Sequence, residues 1–511
     1  MTSAPRSPRE LFAAFGAIML ATLLAALDQT IVATALPQIV ADLDGFEDLS
    51  WVVTAYLVAV IVTVPLYGKL SDLYGRRRML VVSISIFLIG SALCGAAQSM
   101  DQLIAFRALQ GLGAGGLIPL SQAAVADLFS PRERGRYHGY ISGMWATAAV
   151  AGPLVGGTLT DLASWRLIFY VNLPLGLVAL LVVLRTMPAP ARRGSRRIDY
   201  AGSVTLATAI TCLLLAAAWG GTTFPWTSAE VIGTAVAAVV LLGVFTAIER
   251  RTPEPVLPLD LLRVRTIAVS SGATFVVGAV LFAVTIYVPV FAQGVLGASA
   301  TTSGVILIPL SLGWTAASII SGQLIARTGR YRVFPILGST LLVVGSLLLS
   351  RLEPGTGRPV LAAELAIIGA GMGVMFQTYV LASQSAVDVD RVGVTTSTLQ
   401  FFRSLGGSLA VAALGAVLTA RLATELRERL GASAATVDPE RLLRGDTRIP
   451  PALLEDTRAA LASSLATAFL IILALSAVAL ALALALEERP LRRGRPSTGA
   501  PPRPAKVADD A

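Results

Sequence analysis

Leu11–Leu36 reads LFAAFGAIMLATLLAALDQTIVATAL, 26 residues whose only charge is Asp28. At 1.5 Å per residue a helix of that length covers about 39 Å, more than the ~30 Å of hydrocarbon in a bilayer. The apolar run is continuous and not alternating, which fits a membrane helix and excludes a barrel strand. It is also too long for a signal peptide. Asp28 lies about eight residues from the far end of this span, at membrane depth. An ionised carboxylate there costs roughly 3 kcal/mol on insertion scales, so it persists mainly where it faces a cavity and does work.

The same kind of run recurs along the 511-residue chain, which is 55% hydrophobic and only 14% charged. Fourteen spans are expected, near 11–36, 51–70, 79–97, 102–126, 138–160, 166–186, 200–219, 229–248, 266–291, 302–325, 333–350, 360–383, 393–420 and 458–486. The fold class that follows is an all-α polytopic membrane protein. Cys94 and Cys212 both fall within spans, so neither a disulfide nor a metal site is expected.

Fourteen spans place both termini on one side. The segments on that side carry 28 Lys and Arg; the opposite side carries 10, of which 7 lie in the long loop 421–458. Only short loops orient a membrane protein, so the comparison is 28 against 3, and both termini are expected to be cytoplasmic. The net charge of +9 is then topology signal and contact with anionic lipid, not a nucleic-acid surface. The Pro- and Arg-rich tail 487–511 is expected to be disordered.

Gly68-Lys69-Leu70-Ser71-Asp72-Leu73-Tyr74-Gly75-Arg76 and Gly322-Gln323-Leu324-Ile325-Ala326-Arg327-Thr328-Gly329-Arg330 repeat Gly, Leu, Gly and Arg at matching places. Both loops lie on the same side, which implies two similar halves related by an axis along the membrane normal, with a site between them. The expected organisation is a 1–10 N-terminal segment, a six-helix bundle 11–186, two inserted helices within 187–265, a second six-helix bundle 266–486, and the tail.

Three further patterns stand out. Arg107-x-x-Gln110-Gly111-x-Gly113-x-Gly115-Gly116 puts small residues along span four, where they let neighbouring backbones approach. By rise per residue, Arg107 and Asp28 lie at similar depth, about 9 and 12 Å from the same face. Arg107 either snorkels to that face or tunes a neighbouring carboxylate. Gly143-x8-Gly152-Pro153-x-x-Gly156-Gly157 in span five combines a missing helical hydrogen bond with flexible flanks. Trp165-Arg166-x-x-Phe169-x-x-Asn172-x-Pro174-x-Gly176 opens span six, with Trp165 and Arg166 read as membrane-interface anchors.

With these motifs in order and at this spacing, the chain resembles the major facilitator superfamily, and within it the fourteen-helix drug/proton antiporter branch, over roughly residues 10–486. The resemblance implies the major facilitator fold, two six-helix bundles plus two inserted helices. It also implies a multidrug efflux transporter of the cytoplasmic (inner) membrane, coupled to protons and exporting lipophilic, often cationic compounds by alternating access. Asp28 and Arg107 become the proton-coupling pair, and Gly68, Asp72, Gly75 and Arg76 a cytoplasmic gate. Gly143, Gly152, Pro153, Gly156 and Gly157 become the antiporter motif. Ala326 stands where Asp72 does in the first copy, so the gate is expected on one half only.

Cavity candidates are Gln29, Tyr56, Gln110, Trp145, Tyr287, Phe291, Trp314, Phe376, Gln377, Phe401 and Arg403. Glu364, a few residues inside span twelve, is expected to be wetted, and His138, the single histidine, to lie on the surface. No nucleotide-binding Gly-rich loop and no hydrolytic constellation is present in the sequence, so neither an enzyme nor an ATP-driven pump is expected. No cofactor is expected beyond the proton as coupling ion, and a monomer is expected. An exporter of one specific metabolite, lipid or peptide on the same fold stays open as the alternative.

Overall fold

The computed structural model describes residues 8–43, 49–129, 131–162, 164–187, 199–220, 224–252, 255–298, 300–388, 391–431 and 451–488. Within α1 and α5 some side chains lie outside this description, among them Pro153, Gly157 and His138. The described residues are helical throughout, apart from short connections and one isolated bridge between Gly220 and Phe224.

The helices are α1 (Pro8–Leu43), α2 (Leu49–Tyr74), α3 (Arg76–Ala96), α4 (Met100–Leu128), α5 (Pro131–Leu162), α6 (Leu167–Tyr170), α7 (Asn172–Thr186), α8 (Tyr200–Trp219) and α9 (Ala229–Glu249). There follow α10 (Arg265–Val290), α11 (Ala300–Ile306), α12 (Ile308–Thr328), α13 (Val333–Leu349), α14 (Arg358–Ser385), α15 (Val392–Leu430) and α16 (Pro451–Leu484). Twelve helical stretches are long and apolar enough to cross a membrane, with α6–α7 acting as one span and α11 running into α12. The 17-residue α13 and the 32-residue α5 supply the other two of the fourteen expected spans.

Proline explains the breaks. Pro174 has no N–H to give the Tyr170 carbonyl, and α6 parts from α7 at Val171. Pro309 likewise leaves the Val305 carbonyl without its helical donor, and α11 stops at Ile306. After Pro289 the end of α10 widens into a π turn over Phe291–Val295, and Gly297, at φ +64, closes it in the left-handed region.

Lipid is as apolar as leucine, so helices hold together through close packing instead of a hydrophobic drive. The glycines of α4 show how. A Cβ on Gly111 would sit 2.5 Å from the Tyr56 carbonyl of α2, and one on Gly113 would sit 2.3 Å from the Phe87 backbone of α3. In the other half, Gly369 and Gly373 of α14 press on the Leu310 and Trp314 carbonyls of α12 in the same way. Two large cores result. One is built wholly from α10 onward. The other joins α1–α5 and α7 with Leu206, Ile210, Leu214 and Phe245 of the α8–α9 hairpin and Phe401 of α15. The halves meet where α5 lies along α12 and where α2 and α4 lie along α15.

The segment 421–458, expected as an external loop holding a short amphipathic helix, begins as a direct continuation of α15. α15 continues to Leu430, and Leu422 and Leu426 pack into the core shared with Ala460 and Leu461 of α16. At 39 residues, α15 is about 58 Å long. Apolar residues at i, i+4 and i+8 carry the helix beyond the bilayer, a pattern hidden by the charges between them. Residues 432–450 lie outside the described part.

Candidate functional site

Asp28 of α1 is fully buried, and three donors converge on it. Arg107 Nη1 of α4 lies 3.0 Å from Oδ2. Oδ1 accepts from Gln110 Nε2 at 2.8 Å and from Asn172 Nδ2 of α7 at 3.0 Å. Ser91 of α3 closes the network: its hydroxyl accepts from Gln110 and Asn172 and donates to the Phe169 carbonyl at 2.8 Å. Arg107 also donates to Gln110 Oε1 at 2.7 Å and lies 4.0 Å above the Tyr56 ring. Three helices are thus tied through one carboxylate, with α3 joined at one remove through Ser91, and a chain of charge-assisted bonds in a dry interior is strong. Arg107 does not snorkel; it is 2% exposed.

Asn172 belongs to the span-six motif, and its place at Asp28 gives that motif a physical purpose. The rest of the motif docks the α6–α7 turn. Trp165 is buried and donates from Nε1 to Asp42 at 2.8 Å, and Arg166 donates to the Ala97 carbonyl at 3.0 Å. Trp165 is therefore an interior anchor between helices, not the lipid-interface anchor expected of it. Its indole N–H found a carboxylate inside the fold.

A cavity of about 280 Å³ lies between the halves. Its wall takes Gln29 and Thr30 from α1, Ile118 and Gln122 from α4, Ile141 and Trp145 from α5, and Leu281, Phe282 and Thr285 from α10. Leu310, Ser311, Trp314 and Thr315 of α12, Phe376 and Gln377 of α14, and Gln400 and Arg403 of α15 complete it. Trp314 and Phe376 stand 6.1 Å apart, ring to ring. No Asp or Glu is among these lining residues.

The wall differs from the expected set. Tyr56 and Gln110 sit in the Asp28 network. Tyr287 donates to the Val411 carbonyl at 2.7 Å, and Phe291 is buried in the core of the second half. Phe401 faces the core of the first half while Gln400 and Arg403 face the cavity. Each helical residue turns the side chain by about 100°, and an apolar stretch carries no mark of which direction is inward. Asp28 does not face the cavity as expected: it lies behind the wall, fully buried on Arg107, Gln110 and Asn172, and its neighbours Gln29 and Thr30 line the cavity instead.

The stretch 68–76, read from the sequence as a loop, is helical apart from Gly75 and forms a latch between halves. Gly75, at φ +91, makes the turn between α2 and α3. Asp72 accepts from the backbone N–H of Gly393 at 3.1 Å and of Val394 at 2.8 Å. These amides open α15, where helical N–H groups lack partners and the dipole favours an anion. Arg76 pairs with Asp72, bonds the Ser71 hydroxyl, and reaches Asp127 Oδ2 at 3.2 Å. Gly68 packs directly on Ser397, leaving no room for a Cβ. Nearby, Gln384 Nε2 of α14 donates to the Gln122 carbonyl at 3.4 Å. Beside the latch, Arg134 caps the end of α4 by donating to the Ala126 and Phe129 carbonyls. Burial lowers this guanidinium to about 10, which keeps it protonated at neutral pH.

In the span-five motif, Gly152 packs on Thr30 of α1, whose hydroxyl donates to the Ala148 carbonyl at 3.0 Å. Gly143 faces the Thr315 methyl of α12 across the halves, and Gly156 is buried. The side chains of Pro153 and Gly157 lie outside the described residues. Glu364 is buried at 6% exposure, not wetted as expected, because its helix turns it toward the α14 core beside Leu361 and Leu365.

Residues 18–411 match the family model described as Major Facilitator Superfamily. The chain is 36% identical to "Multidrug resistance protein 3" of Bacillus subtilis (strain 168), across 89% of this chain and 91% of that protein. It is 37% identical to "Multidrug transporter protein MdtP" of the same organism, across 81% of this chain and 76% of that protein. Among solved structures, the proton:xylose symporter XylE is similar in fold, with a TM-score of 0.62 at 13% identity, over 94% of this chain and 97% of that one. Many apolar helices, a cavity between two halves and these relatives make this a multi-pass membrane protein of the transporter class, and the chain belongs to the Major Facilitator Superfamily.

Proposed function

We propose that this protein exports lipophilic compounds across the cytoplasmic membrane in exchange for protons, with both termini on the cytoplasmic side. The observation that carries this reading is the Asp28–Arg107–Gln110–Asn172 network, one residue behind the cavity wall. A titratable group at membrane depth, held by partners from two other helices, can convert protonation into helix movement. Protonating Asp28 removes the charge that holds Arg107 and leaves fewer acceptors than donors. The donors on α4 and α7 are then free to shift against α1. Because Gln29 and Thr30 stand in the wall, a change at Asp28 reaches the substrate site through a single turn of α1.

The latch supplies the other half of the cycle. With Asp72 on the α15 amides, the basic, cytoplasmic face is closed and cargo cannot return inward. Reopening requires these charge-assisted bonds to break. Alternating access is then a rocking of the halves around the cavity, each end closed in turn.

The test uses inverted membrane vesicles with a preset proton gradient and a fluorescent pH reporter. Adding transported lipophilic compounds should dissipate the gradient in vesicles holding the protein and leave it intact in vesicles without it. A gradient indifferent to every compound transported would overturn antiport.

A further inference from the structure

We infer that the cavity selects an amphipathic organic anion, an apolar body carrying a carboxylate head, and that Arg403 binds the head. This rests on the reading of the cavity as the export site and names the class of cargo for it.

Four arginines are buried among the described residues, and they are not treated alike. Arg134 spends its donors on the Ala126 and Phe129 carbonyls at the end of α4. Arg107 is neutralised by Asp28, and Arg76 by Asp72 and Asp127. Arg403 is 8% exposed and lies in the cavity wall, yet no carboxylate among the described residues pairs with it. Its guanidinium lies 5.3 Å from the Phe376 ring, and its Nε donates to Gln400 Oε1 at 3.2 Å. A guanidinium offers five N–H donors in a planar fork that fits a carboxylate edge-on. A buried cation without a paired charge is costly, and it persists where carbonyls meet its donors, as at Arg134, or where something else supplies the opposite charge; Arg403 has no such carbonyls among its bonds, only the Gln400 amide oxygen. In this fold that something is the ligand. The negative charge of Asp28 is already spent on Arg107, so the wall carries one net positive charge and no acid.

The rest of the wall suits the remainder of such a molecule. Trp145, Trp314, Phe282 and Phe376 give flat apolar surface, and amides such as Gln400 flank the arginine. The cationic cargo expected from the family resemblance finds no counter-charge here and meets repulsion from Arg403.

The test is equilibrium binding to the full-length protein in lipid nanodiscs, with empty nanodiscs as blank. The probes share one aromatic body: 1-naphthoate, neutral 1-naphthamide and 1-naphthylmethylammonium. The wild type should bind naphthoate at least tenfold more tightly than the ammonium probe. Arg403→Gln should weaken naphthoate at least tenfold and leave the amide within twofold, with Arg403→Lys between. Gln400→Glu, which places a carboxylate beside an intact Arg403, should abolish the preference for the anion; it serves also if Arg403→Gln does not fold. Equal or tighter binding of the ammonium probe, a preference that survives Arg403→Gln, or no binding by any probe would each overturn the inference. Binding needs no proton gradient, so this result is independent of whether export is coupled to protons.

Discussion

Asp72 Oδ2 accepts a hydrogen bond from the Val394 N–H at 2.8 Å, which fastens the end of α2 to the first turn of α15. The two residues are 322 positions apart in sequence, and their bond joins one half of the transporter to the other. A carboxylate on the unpartnered amides of a helix start is favourable both as a hydrogen bond and through the dipole, together about 2–3 kcal/mol.

Loss of that bond should shift the closed state of the basic face by roughly tenfold to a hundredfold, taking 1.4 kcal/mol per tenfold. The reporter is a cysteine at Ser397, which lies against Gly68 in the closed interface, placed in a Cys212→Ser background. Asp72→Ala should make Ser397→Cys react several-fold faster with a membrane-permeant maleimide. Unchanged reactivity would remove the latch from the account.

The Asp28–Arg107 pair predicts an asymmetric stability pattern. Arg107→Ala leaves a buried carboxylate without its cation and should cost about 3–5 kcal/mol. Asp28→Asn with Arg107→Gln removes both charges together and should recover much of that loss. Thermal unfolding in detergent reads the difference. Equal destabilisation by the single and double variants would mean that the charges do not depend on each other.

Gly152 and Thr30 predict a steric pattern. A Cβ at Gly152 would sit 2.1 Å from Thr30 Oγ1, so Gly152→Ala should destabilise by about 1–3 kcal/mol through overpacking of α5 on α1. Thr30→Ala removes the obstructing hydroxyl and should restore part of the stability in the double variant. Independent, additive effects of the two substitutions would contradict direct contact.

Much of this was legible in the chain, and the boundary has physical causes. Span number follows from length and apolarity, because a bilayer admits few alternatives. That Asp28 and Arg107 share a depth follows from counting along two helices, while the adjacency of spans one and four came from the family resemblance. The partners that complete the network were not legible as such: Ser91 is a small polar residue in an apolar helix, and Asn172, though part of the span-six motif, carried no sign that it reaches Asp28. The donors to Asp72 were hidden for a different reason, since backbone amides of α15 have no side-chain signature. Rotational phase was hidden as well. Tyr56 and Phe401 turned away from the cavity while Gln122 and Gln400, never singled out, turned toward it. The charges in 421–430 masked the leucine stripe that extends α15.

The central claim is that Asp28 carries the proton, and one variant tests it most directly. Asp28→Asn protein, reconstituted in liposomes, is assayed for a transported compound in two ways: exchange of labelled for unlabelled compound without a gradient, and accumulation driven by an imposed pH difference. The account predicts that exchange persists while gradient-driven accumulation is lost. Accumulation at the wild-type level in this variant would contradict it.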